Sequence, residues 1–152
     1  MSPVVMLADA DVFLRFLRND HAEHSLAAKQ VMEQAAAGEV ILRVLEIVIA
    51  DIFYTLTAPV MKIPRATAAR QLSALLQQPG IDVENRSRVL DALAICETRN
   101  IDYGDAALII AAQDATRQLP ILSYDHDFAK EPAVTAFSPA EWLQKGRMLV
   151  SR

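Results

Sequence analysis

Short apolar runs alternate with longer amphipathic stretches along the whole chain. Residues 4–8 form an unbroken apolar run of strand length and read as a buried strand, and helical spacing takes over across residues 11–17. Residues 22–37 read as a helix with Gly38 as its stop, because glycine adopts without strain the left-handed conformation on which helices commonly end. Residues 40–42 follow as a second short strand. The next helical pattern covers residues 44–57, ahead of Pro59, and Pro64 suits the first turn of another helix reaching about Gln78, where its missing N–H has no helical partner. Residues 81–83 are a weak strand, residues 86–99 an amphipathic helix, and residues 102–116 a helix opened by a cap-like Asp-x-x-Asp. Residues 121–124 read as an apolar strand ending at Asp125, and residues 134–137 as a last edge strand.

Strands separated by helices predict an α/β fold with a mainly parallel sheet and helices on both faces. In such sheets the ligand site lies beyond the carboxyl ends of the strands, which singles out Asp9 and Asp125. With 152 residues, 53% of them hydrophobic, the chain can close one substantial core and is too short for two ordinary domains, so a single domain over residues 1–152 is expected. A net charge of −4 offers no global basic field of the kind that duplex binders use. It leaves room for a nuclease, since carboxylates gathered around a metal make a protein acidic while the cation reverses the local sign. The opening Met1-Ser2-Pro3-Val4-Val5 has no basic segment and its apolar run breaks at Asp9, so neither a signal peptide nor a membrane span is expected, and the expected location is cytoplasmic. The lone cysteine, Cys96, sits in an apolar stretch and reads as a small core side chain.

The candidate chemistry is carboxylate chemistry. Asp9 and Asp11 follow the first strand, where one of them can equally cap the next helix. Asp51 stands among Ile47, Val48 and Tyr54 at helical spacing, where a buried ionised carboxylate would need a cation or a salt bridge to offset its desolvation. Glu46, five residues earlier, is the reserve candidate for the same role. Asp105 lies in the first turn of its helix, a position the helix dipole favours for any acid. Asp125 and Asp127 follow a strand, where turns also favour Asp, and Ser123 precedes them. Brought to one edge of a parallel sheet, such carboxylates would repel one another without a cation, and an all-oxygen set suits Mg²⁺ or Mn²⁺ rather than structural zinc.

At these residues the chain resembles the PIN-domain family, particularly the VapC-like toxin ribonucleases of toxin–antitoxin pairs. Four segments carry the resemblance in order: Leu7-Ala8-Asp9-Ala10-Asp11-Val12-Phe13, Val48-Ile49-Ala50-Asp51-Ile52-Phe53-Tyr54, Asp102-Tyr103-Gly104-Asp105-Ala106 and Ile121-Leu122-Ser123-Tyr124-Asp125-His126-Asp127. Each is weak alone; the four in register span almost the whole chain. The resemblance implies a three-layer α/β/α fold, an acidic site of Asp9, Asp51, Asp105 and Asp125 holding Mg²⁺ or Mn²⁺, and hydrolysis of RNA by metal-activated water. Asp11, Glu46, Ser123 and Asp127 are the accessory candidates. It also implies a homodimer and an antitoxin partner, for which the apolar helix around residues 72–76 offers a contact face. The family's usual second-motif residue is Glu, so Asp51 is one methylene shorter, and Ala10 stands where a hydroxyl residue often follows the first Asp.

Three other readings compete. Asp9-Ala10-Asp11 fits the opening of haloacid-dehalogenase-type phosphatases, but Ser123 falls after Asp105, the wrong order for that family. A phospho-receiver would need an acceptor Asp near residue 50 at a strand end, whereas Asp51 lies in a helical pattern. The third is a PIN fold used only to bind RNA or protein, with Ala10 and Asp51 as its support.

Overall fold

The computed structural model describes residues 2–18, 22–114 and 119–146. The chain is divided into two compact units, Met1–Ala106 and Ala107–Arg152. In the first, β1 (Val4–Leu7), β2 (Val40–Val44) and β3 (Ile81–Val83) form a parallel sheet in the order β1-β2-β3. Val4 stands opposite Val40 and Leu42 opposite Ile81. Helices α1 (Ala10–Arg18) and α2 (Ala22–Ala36) connect β1 to β2, and α3 (Glu46–Leu56) and α4 (Arg65–Leu76) connect β2 to β3. After β3 come α5 (Arg86–Arg99) and the beginning of α6 (Tyr103–Asp114). Parallel strands flanked by helices are the α/β architecture that the alternating pattern predicts. Each expected helix is present within two residues of its predicted ends, apart from Thr116, the expected end of α6, which lies outside the described residues.

Local chemistry explains several of the joins. Gly38 stops α2 with φ +81°, its N–H donating to the Ala35 carbonyl while the Glu39 N–H donates to that of Gln34. Gly80 enters β3 with the same φ, and a Cβ there would stand 2.5 Å from the Ala35 carbonyl oxygen, so only glycine lets this turn lie against the end of α2. Pro64 caps α4 from just outside rather than within its first turn. At the start of α3 the cap residue is Leu45, which has no side-chain acceptor. Glu84, just past β3, supplies one: its Oε1 accepts the N–H of Glu46 at 3.1 Å.

The core of this unit is built from Phe13, Val44, Ile49, Ile52, Phe53, Leu56, Leu72, Leu76, Val89, Leu93 and Cys96, all essentially without solvent exposure. Along β2 the buried Val40, Leu42 and Val44 alternate with the half-buried Ile41 and the exposed Arg43, which pairs with Asp82 of β3 at 2.8 Å. Two expectations fail here. β1 is not a buried strand: all four of its side chains are exposed, from Met6 at 39% to Leu7 at 71%. Among the described residues it ends the order of its sheet and pairs there only with β2, and an apolar run does not by itself distinguish a central strand from an edge. Nor are the leucines of α4 a contact face for a partner, because Leu72, Leu75 and Leu76 are core residues facing the rest of their own unit.

In the second unit β4 (Ile121–Leu122) and β5 (Ala136–Phe137) form a two-stranded parallel pair, Ile121 opposite Ala136. Both are shorter than the sequence predicts, and Tyr124 lies beyond the strand, exposed. A 3₁₀ turn at His126–Lys130 and the short helix α7 (Pro139–Glu141) follow in the chain, with a π-helical turn at Trp142–Gly146. Ser138 and Glu141 form a reciprocal capping box on α7, and the Trp142 ring lies 5.8 Å from that of Phe137. Among the described residues no helix is long and apolar enough to cross a membrane.

Candidate functional site

Asp9 stands two residues past the end of β1, where the rule for parallel sheets places a ligand-binding residue. The backbone is held there by the Ala8 N–H, which donates to the Arg43 carbonyl at 2.9 Å. Asp9 is exposed, and its Oδ1 accepts the N–H of Ala10, the first residue of α1, at 2.7 Å, which leaves Oδ2 outside that bond. The capping role and a ligand role are therefore compatible in this residue. Asp11 is exposed in the first turn of α1 and lines, with Val12, Arg15, Ala27, Ala28 and Val31, a groove of about 380 Å³ between α1 and α2.

On α3 the buried face is Ile49, Ile52, Phe53 and Leu56. Asp51 lies off that face and is exposed, one turn from Ile47 and just under one from Tyr54, both also exposed. The expectation of a carboxylate buried among apolar neighbours is overturned: Asp51 is exposed, and of its apolar neighbours three and four positions away Ile47 and Tyr54 are exposed and Val48 is half-buried. Its place on a helix, rather than at a strand end, also removes the phospho-receiver reading. Glu46 is half-buried in the first turn of α3, and its charge is among the causes that raise the hydroxyl pKa of the buried Tyr103, after burial itself. Tyr103 packs on Phe53 with ring centres 6.1 Å apart, so the start of α6 rests on α3.

Asp105 is half-buried in the first turn of α6. The Asp-x-x-Asp signal is realised as a cap: Oδ1 of Asp102 accepts the Asp105 N–H at 2.9 Å. The same oxygen accepts from the hydroxyl of Tyr54 at 3.4 Å, and that hydroxyl accepts the N–H of Gly104 at 3.0 Å. Burial and the negative charges of Asp102 and Asp105 push the Tyr54 pKa up, against the lowering effect of the Gly104 N–H.

In the second unit, Asp125 is exposed and caps the 3₁₀ turn, its Oδ1 accepting the Asp127 N–H at 2.9 Å. Ser123 Oγ accepts the Asp125 N–H at 3.0 Å, and Asp127 pairs loosely with Lys130 at 3.4 Å. Each of these acids thus also does local turn or surface work.

The PIN domain family model matches residues 6–133. The chain belongs to this family. The match takes in Asp9, Asp51, Asp105 and Asp125, and no curated protein matches the chain. The PIN fold is a nuclease-type fold whose members generally depend on divalent metal. In donor chemistry this PIN domain fits such an ion: its candidate acids are exposed or half-buried and offer oxygen alone, the ligand type that hard divalent cations take. In spacing, no group of three or more His, Cys, Asp or Glu among the described residues stands close enough together to hold a metal ion.

Sequence reading missed Tyr54 and Glu84. The signal for Tyr54 was its position three residues after Asp51, on the same helix face; Glu84, 38 residues from the N–H it caps, left none.

Proposed function

We propose that this PIN domain, acting as one domain over residues 1–152, is an Mg²⁺- or Mn²⁺-dependent endoribonuclease and the toxin of a toxin–antitoxin pair. The observation that carries the reading is the family match across all four acidic positions, with Asp9 at a strand's carboxyl end and Asp105 in a helix's first turn. Asp9, Asp105 and Asp125 would hold the ions, and Asp51 would either join them or orient the attacking water. Glu46 is the residue that would serve in place of Asp51. Bound divalent ions supply a more acidic water and offset the charge that develops on the attacking and leaving oxygens. No side chain forms a covalent bond to RNA. A homodimer and a cognate antitoxin complete the proposal, with the contact surface elsewhere than the buried leucines of α4.

Dependence on metal tests this reading. Cleavage of a single-stranded RNA should stop in excess EDTA and return with Mn²⁺ or Mg²⁺. Cleavage that continues at the same rate in EDTA, with contaminating nuclease excluded by an Asp9→Asn preparation, contradicts it.

A further inference from the structure

Helix α3 and the first turn of α6 are joined by one hydroxyl. Tyr54 accepts the N–H of Gly104 at 3.0 Å and donates to Asp102 Oδ1, which in turn accepts the N–H of Asp105. The first N–H groups of a helix have no partner within it, so this chain of bonds satisfies two donors that would otherwise rely on water. The same close approach also constrains residue 104. A Cβ on Gly104 would stand 2.6 Å from the Tyr54 oxygen, while the next atoms it would meet, Asp102 Oδ1 and Tyr54 Cζ, are 3.5 and 3.9 Å away. Gly104 is helical and needs no positive φ, so close approach of the hydroxyl is what the missing side chain permits. Tyr54 is 46% exposed, and its hydroxyl makes both bonds.

Tyr54 also lies three residues after Asp51 on the open face of α3. We propose that Tyr54 is a positioning residue: its hydroxyl pins the first turn of α6 to α3 and so sets where the Asp105 carboxylate stands relative to Asp51. The inference rests on the roles given above to Asp51 and Asp105. Neighbouring apolar contacts of Phe53 and Tyr103 bring the two helices together; the hydroxyl sets the register of the polar turn.

The test compares Tyr54→Phe, Gly104→Ala and the double variant with the parent, in the full chain. Gly104→Ala alone should melt lower, because its methyl group meets the hydroxyl. Adding Tyr54→Phe removes that oxygen, and alanine's higher helix propensity then brings the double variant to or above the melting temperature of Tyr54→Phe alone. Amide exchange at Gly104 and Asp105, followed by NMR without metal or RNA, should be about fivefold faster in Tyr54→Phe, the factor expected for one lost hydrogen bond. RNA cleavage by both Tyr54→Phe and the double variant should fall in kcat by at least a similar factor with KM little changed. A merely structural tyrosine would let activity return with stability in the double variant. Unchanged amide exchange and unchanged kcat in Tyr54→Phe overturn the proposal, as does full recovery of kcat in the double variant. If the parent cuts no RNA, the nuclease reading fails, while faster exchange and suppression of the Gly104→Ala defect would still support the pinning of Asp105 by Tyr54; their absence would remove both.

Discussion

The Asp51 side chain separates what residue type and residue environment each decide. Its motif position is legible in the sequence, but its apolar neighbours there suggested burial, whereas the helix turns Ile47, Asp51 and Tyr54 outward and keeps Ile49, Ile52 and Phe53 inside. Period alone could not choose between these faces, because α3 is apolar on most of its circumference. An exposed carboxylate carries little desolvation cost, so Asp51→Asn should shift stability by no more than about 0.5 kcal/mol, with or without EDTA, while cleavage falls. Melting curves and cleavage rates measured together check this, and Glu46→Gln provides the comparison: if it abolishes cleavage and Asp51→Asn does not, Glu46 holds the second acidic position. Cys96 went the other way, its core reading borne out by complete burial. Burial, with Asp102 adding to it, pushes the Cys96 thiol from its ordinary value of 9.0 up to about 12. The folded state then keeps a proton that the unfolded chain gives up, so the stabilisation is whole below about pH 9 and lost as pH rises toward 12. Parent and Cys96→Ala melted between pH 8 and 11 should show the parent's advantage shrinking as pH rises; a constant difference contradicts the assignment.

At the scale of elements, helices were read well because their period and their stops are local properties. The φ of +81° at Gly38 and the Asp102 cap on α6 are both written in neighbouring residues. What was missed is non-local. The composition of β1 predicts burial, yet its exposure depends on where it falls in the sheet order. The apolar residues of α4 suggest a partner surface from sequence alone because nothing in the chain says which helix covers them; α5 packs against α4, and Leu72, Leu76, Leu93 and Cys96 fill the core. The cap on α3 is the sharpest case. Leu45 offers no acceptor, and the Glu84 carboxylate reaches across from the end of β3. Glu84→Ala should therefore cost about 1 kcal/mol, the usual worth of a side-chain helix cap, and Glu84→Gln less, since an amide oxygen remains to accept the bond. Urea midpoints for the two variants measure it. Equal midpoints for Glu84→Ala and the parent would mean that water serves the Glu46 N–H as well.

For the whole molecule, order along the chain carried more than any single motif. Each acid has an ordinary local explanation: Asp9 bonds the first N–H of α1, Asp125 caps a 3₁₀ turn, and Asp105 lies where a helix dipole favours it. The family match over residues 6–133 is what joins them into one reading. A net charge of −4 fits that reading, since RNA approaching an acidic site would rely on bound cations to offset repulsion. The most direct test is the rate at which Asp9→Asn and Asp105→Asn cut a defined single-stranded RNA in Mn²⁺, each beside a melting curve. Rates should fall by at least about a hundredfold in both variants with folding intact, because each substitution removes an anionic oxygen without changing side-chain volume. Cleavage at the parent's rate by either folded variant would contradict this expectation.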